Sequence, residues 1–95
     1  MSSAYQYAQQ HGERFLQQLI DLTKIPSVGT DPAHAADTRR AADYLADDMR
    51  RIGLNNVELL PTSSNPVVYG EWLGAGSSAP TVLIYAHYDV QPATK

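Results

Sequence analysis

Two stretches with helical hydrophobic spacing, then three short strand-like stretches parted by Pro- and Gly-containing turns, predict an α/β layered domain for this 95-residue chain. The last stretch, residues 81–86 (Thr-Val-Leu-Ile-Tyr-Ala), is apolar on both alternating sides. That pattern suits a strand covered on both faces, at the middle of a sheet packed by helices. The order α-α-β-β-β therefore implies two N-terminal helices packed on a mixed β-sheet.

Each element has its own local reason. Over residues 4–23, Tyr5, Ala8, Phe15, Leu16, Leu19, Ile20 and Thr23 recur at three- and four-residue steps, one stripe of an amphipathic helix. Ser2 or Ser3 can cap it, and Pro26 ends it by pushing the preceding residue out of the helical region. Gly12 costs up to about 1 kcal/mol relative to Ala, so the first turns are expected to fray. Residues 27–30 read as a loop. Asp31-Pro32 then reads as an N-cap followed by proline at the first helical position. The second helix places Ala35, Thr38, Ala42, Leu45, Met49 and Ile52 on one face, leaves Asp37, Arg40, Asp43, Asp47 and Arg50 mostly to solvent, and stops at Gly53. Residues 56–60 form a strand candidate closed by Pro61 and a polar turn. Residues 67–73 form a second, and residues 74–80 a loop before the third.

Composition narrows the function. Apolar residues make up 43% and charged residues 18%, a globular balance rather than a disordered one. By surface scaling, an unfolded chain of this size exposes about 15,000 Å² and a folded one about 5,400 Å², so roughly 64% could be buried. The absence of cysteine excludes a disulfide scaffold, a zinc finger, an iron–sulfur site and a thiol nucleophile. Seven basic against ten acidic residues give a net charge of −3, no footprint for nucleic acid or an anionic membrane. The polar first residues lack the apolar core of a signal peptide, and the longest apolar run is far too short to span a bilayer. A soluble, cytoplasmic protein without nucleic-acid or membrane partners is the expectation.

The chemistry gathers in His87-Tyr88-Asp89-Val90-Gln91-Pro92, directly after the apolar run. Strand alternation puts His87 and Asp89 on one side and Tyr88 on the other. In open α/β sheets, ligands bind beyond the C-terminal ends of strands. An aspartate two residues from a histidine can accept one ring N–H, fix the tautomer and leave the other nitrogen for a metal. On spacing alone, a histidine at a fraying strand end beside an aspartate explains the pair equally well.

The longer string from Thr81 to Pro92 resembles the hydrophobic strand and H-x-D-V-x-P signature of the co-catalytic zinc exopeptidases that include aminoacylase, desuccinylase and carnosinase. The loop Lys24-Ile25-Pro26-Ser27-Val28, the helix end Ile52-Gly53-Leu54 and the strand Val67-Val68-Tyr69-Gly70-Glu71-Trp72 extend the resemblance over residues 15–92. Tyr88 and Gln91 make the chain look more like the carnosinase-type dipeptidases than the N-acyl amino acid deacylases, the alternative within the family. The resemblance implies a zinc-exopeptidase-like layered domain. It assigns His87 as a terminal zinc ligand and Asp89 as the catalytic-site aspartate supporting it. It also implies two zinc ions per complete catalytic domain and hydrolysis of peptide or dipeptide amide bonds through a metal-activated water whose proton a glutamate takes.

The chain ends at Lys95 without the family's bridging aspartate, Glu-Glu pair, further carboxylate ligand and second histidine; Glu13, Glu58 and Glu71 are isolated. Residues 1–95 are therefore expected to be the N-terminal part of a metallopeptidase catalytic domain, contributing one zinc ligand and inactive alone. The competing reading is a non-catalytic fragment that self-associates, as a homo-oligomer, through an uncovered sheet edge. Other candidates have simpler explanations. Asp47-Asp48 and the pairs Arg39-Arg40 and Arg50-Arg51 fit a solvated helix face, and His11 and His34 fit surface positions. Gly74 and Gly76 precede no Lys-Ser/Thr, Ser77 and Ser78 lack a nucleophile elbow, and Tyr69 and Trp72 lack a basic groove.

Overall fold

The computed structural model describes residues 3–92, so the Ser2 cap and Lys95 lie outside the described residues. The first helical stretch is two helices, α1 (Ser3–Gln10) and α2 (Gly12–Thr23), parted at His11. The bonds His11 N–H to Tyr7 O (3.1 Å) and Phe15 N–H to His11 O (3.0 Å) cross the break, making it a step in one rod. Gly12 weakens the helix there, as expected, but the result is an interruption rather than frayed early turns. Rings step over the break, with Tyr7–His11 centroids 4.3 Å and His11–Phe15 centroids 6.3 Å apart.

Asp31 Oδ1 accepts from Ala33 N–H at 2.9 Å, and Pro32 opens one 3-10 turn leading into α3 (Ala35–Arg51). The N-cap and proline thus act as the sequence predicts. The buried face of α3 is Thr38, Ala41, Ala42 and Ala46. This corrects the expected face: Ala35 is exposed, and Ile52 is 60% exposed beyond the last turn. Ala41 and Ala46 continue the same helical stripe, and their small side chains let the helix approach the sheet closely. Gly53, at φ +96°, closes α3: its N–H bonds to Arg50 O, and Leu54 N–H reaches back to Met49 O at 3.0 Å. That is the Schellman arrangement, which glycine adopts without steric cost.

The chain then forms β1 (Asn55–Leu60) and β2 (Val67–Glu71), an antiparallel pair. Asn55 opposes Glu71 but Glu58 opposes Tyr69, so β1 carries one extra residue, a bulge. Asn56 sits there at φ +52°, a conformation asparagine tolerates better than most residues. Helix α3 lies across both strands. A Cβ on Gly70 would stand 3.0 Å from Met49 Sδ, 3.3 Å from Leu54 Cδ1 and 3.4 Å from Val57 Cγ2, so its bare backbone seats the helix.

The α/β class and the packing of the second expected helix, α3, on a sheet are as expected, but the sheet differs. Among the described residues it is two-stranded and antiparallel rather than mixed, and β2 ends at Glu71 rather than at residue 73. Residues 81–86 join no sheet, correcting the central-strand expectation. Val82, Leu83, Ile84 and Tyr85 are 80–88% exposed. A run apolar on both sides needs neighbours on both edges and both faces, and β1 and β2 provide neither. The shape is accordingly open. The radius of gyration is 15.5 Å, against about 12 Å for a compact domain of this length. The accessible surface is 7596 Å², so about half of the unfolded surface is buried rather than roughly 64%.

Two predictions follow from this packing. Gly70→Ala should lower stability by about 1–2 kcal/mol, because the added methyl must displace Met49 or Leu54; a reduced urea midpoint with unchanged slope is the expected result. On the strand pair, Tyr69 Oη donates to Glu71 Oε1 (2.5 Å) and Asn56 Nδ2 to Glu71 Oε2 (2.9 Å). The Tyr69 bond first, then the Asn56 bond, hold the Glu71 carboxyl below its ordinary range. A lowered folded pKa contributes stability above the ordinary carboxylate pKa that is lost as pH falls through the folded value. Tyr69→Phe should therefore move the Glu71 titration upward, measured by carboxyl-carbon NMR; an unmoved titration would contradict the assignment.

Candidate functional site

His87 Nδ1 lies 2.9 Å from Asp89 Oδ1. The two side chains share a side of the backbone, as their spacing predicts. Tyr88 and Val90 turn the other way and are half-buried, while His87 and Asp89 are exposed. The alternation of an extended chain is thus present without a sheet. The His87 side chain is 79% exposed and that of Asp89 46%, so the pair faces solvent. With Asp89 accepting from Nδ1–H, Nε2 is the nitrogen left with a free lone pair.

The position of the pair is set by residues far away in sequence. Ser27, fully buried in the loop after α2, donates from Oγ to Tyr88 O at 2.9 Å. Val90 N–H donates to Ser27 O at 3.0 Å. Tyr88 Oη donates to Pro66 O at 2.5 Å, at the start of β2. Burial, then the nearby Asp89 charge, push the Tyr88 hydroxyl above its ordinary pKa, with Arg39 opposing them. Gly29 completes the support. A Cβ there would stand 3.4 Å from Asp89 Cβ and 3.1 Å from Asn65 Nδ2, and Asn65 Nδ2 donates to Gly29 O at 3.0 Å. Residues 27–30, which the sequence marks only as a loop, are therefore a platform on which Asp89 rests. Pro26-Ser27-Val28 between helices was the available signal, since a buried serine in a loop needs a partner.

Beside this platform lies an open depression lined by Lys24, Pro26, Val28, Asp31, His34 and Val90 among others; His87 is outside its lining. His34 Nδ1 pairs with Asp37 Oδ2 at 2.8 Å within one helical turn, and Asp37 also meets Arg40 at 3.2 Å. Asp47 and Asp48 pair with Arg50 and Arg51, and Arg39 with Asp43, the pattern of a solvated helix face. Among the described residues, no group of three or more His, Asp or Glu is placed to hold a metal ion. No described helix is long and apolar enough to cross a membrane.

No protein-family model matches the chain. The Cys-Gly metallodipeptidase DUG1 of Candida albicans is 30% identical over 94 residues, 86% of this chain and 19% of that protein. The cysteinylglycine-S-conjugate dipeptidase of Corynebacterium striatum is 32% identical over 81 residues, 85% of this chain and 18% of that protein. The solved structure of the di-peptidase Dug1p from Saccharomyces cerevisiae superposes with a TM-score of 0.81 at 26% identity, covering 94% of this chain and 21% of that one. The chain thus spans about a fifth of the length of the curated relatives it matches, and over nearly all its own length it is similar in sequence and fold to metallodipeptidases.

Proposed function

We propose that residues 1–95 are the N-terminal part of the catalytic domain of a dinuclear zinc dipeptidase. In this reading His87 is a terminal metal ligand and Asp89 the carboxylate that orients it. The observation that carries it is the 2.9 Å His87–Asp89 pair, exposed and anchored from behind, in a chain similar to metallodipeptidases. When bound, the metal pair supplies an acidified water and a polarised amide carbonyl. Asp89 holds the proton on Nδ1, keeps the ring orientation fixed and raises the basicity of Nε2. A catalytic zinc takes three protein ligands and His87 offers one, so the other donors come from chain outside residues 3–92. The 95-residue chain alone is therefore inactive. Small peptides are the substrates that the similarity to dipeptidases supports, and a net charge of −3 offers a cytoplasmic protein no electrostatic footprint for nucleic acid or an anionic membrane.

A second reading is favoured by the exposure of Val82, Leu83, Ile84 and Tyr85. Such an unpaired apolar segment recruits another strand, so the isolated chain would self-associate. Sedimentation that finds a stable monomer at high concentration removes this reading.

The names of the relatives make cysteinyl-glycine the first substrate to test. In the longer enzyme carrying this segment, His87→Ala should abolish detectable hydrolysis, and Asp89→Asn should cost about 10–100-fold in activity or metal affinity. The 95-residue chain should neither hydrolyse the dipeptide nor bind zinc tightly by calorimetry. Two tightly held zinc ions per chain, or full activity of His87→Ala in the longer enzyme, would overturn the assignment.

A further inference from the structure

We infer that Ser27 is a positioning residue: its hydroxyl and carbonyl hold Tyr88 and Val90, the two neighbours of Asp89, and so set the carboxylate that fixes the His87 ring. The inference deepens the metal-ligand reading above and rests on it. Three observations carry it. Ser27 is fully buried, yet both of its remaining polar groups go to this one segment, Oγ to Tyr88 O and its carbonyl to Val90 N–H. The two bonds bracket Asp89 and hold the backbone on both sides of it. Tyr88 Oη is held at Pro66 O on the opposite side, which fixes the alternation that turns Asp89 outward.

The link to chemistry runs through the proton. Asp89 must stand where its oxygen meets Nδ1–H for Nε2 to present a lone pair outward. Without the Ser27 hydroxyl, Tyr88 O loses its donor, the backbone at Asp89 gains freedom, and the ring returns toward the Nε2–H form that free imidazole favours. That form has no lone pair on the outward nitrogen. Ser27 touches neither metal nor substrate in this scheme and acts through Asp89.

Tautomer populations of the ring nitrogens, read by long-range proton–nitrogen NMR on the histidine-labelled 95-residue chain at about pH 8, test this directly. His34, whose Nδ1 also meets a carboxylate, Asp37, is an internal reference within α3 and the turn before it. In Ser27→Ala the Nδ1–H population of His87 should fall at least twofold while that of His34 holds. Ser27→Thr, which keeps a hydroxyl, should restore it, and Asp89→Ala, which removes the acceptor, sets the fully uncoupled limit. Four results would sink the inference. These are an unchanged His87 in Ser27→Ala, parallel losses at His87 and His34 in either variant (a merely structural role), no restoration by Ser27→Thr, and a wild-type His87 population no higher than in Asp89→Ala. Since this readout needs neither metal nor turnover, it can fail while the dipeptidase reading stands, and the hydrolysis test of His87→Ala can fail while it succeeds.

Discussion

The contact between Ser27 and the Tyr88–Val90 segment closes a loop of some sixty residues around α3 and the strand pair, and that closure fixes where the His87–Asp89 pair sits on the fold. Closure of this length costs roughly 4 kcal/mol in chain entropy. Against it stand two backbone-directed bonds from Ser27 and one from Tyr88, each worth about 1 kcal/mol net, and the burial of Val28, worth roughly 2 kcal/mol. The terms nearly balance. The site segment is therefore held by a few specific bonds rather than by a deep core, and each bond matters in proportion.

The rest of the molecule follows the same economy. Its fully enclosed residues are small: Ser27, Thr38, Ala41, Ala42 and Ala46. Close approach, through alanines on α3 and the bare backbone of Gly70, replaces bulk as the source of packing. The large apolar side chains lie elsewhere. Tyr5, Leu16 and Leu19 on the N-terminal helices, and Val82 to Tyr85 in the extended segment, are more than half exposed. Exposed apolar side chains thus lie in two well-separated stretches of this chain.

What was legible in the sequence was local. Asp31-Pro32, Gly53 and the period of α3 dictate a cap, a stop and a buried stripe through contacts within one turn; the structure realises the cap and the stop and shifts the stripe to Thr38, Ala41, Ala42 and Ala46. The His87–Asp89 pair is likewise local, since alternation alone puts both side chains on one side. What failed was the inference from apolarity to burial at residues 81–86. Side-chain character states what environment a segment requires, not whether this stretch of chain supplies it. The bulge at Asn56 and the platform at Ser27 and Gly29 were illegible for the complementary reason: each depends on a partner many residues away, Glu71 in one case and Tyr88 to Val90 in the other.

This division explains why the site segment is a local motif whose placement depends on distant chain. A histidine and an aspartate two residues apart need only an extended backbone to meet, so the pair forms even where the strand is unpaired and the ring 79% exposed. Fixing that backbone requires the chain on both sides of the fold, which Ser27 and Pro66 provide. The two demands rise in range from neighbouring residues to a sixty-residue closure, and this chain meets both at His87 and Asp89.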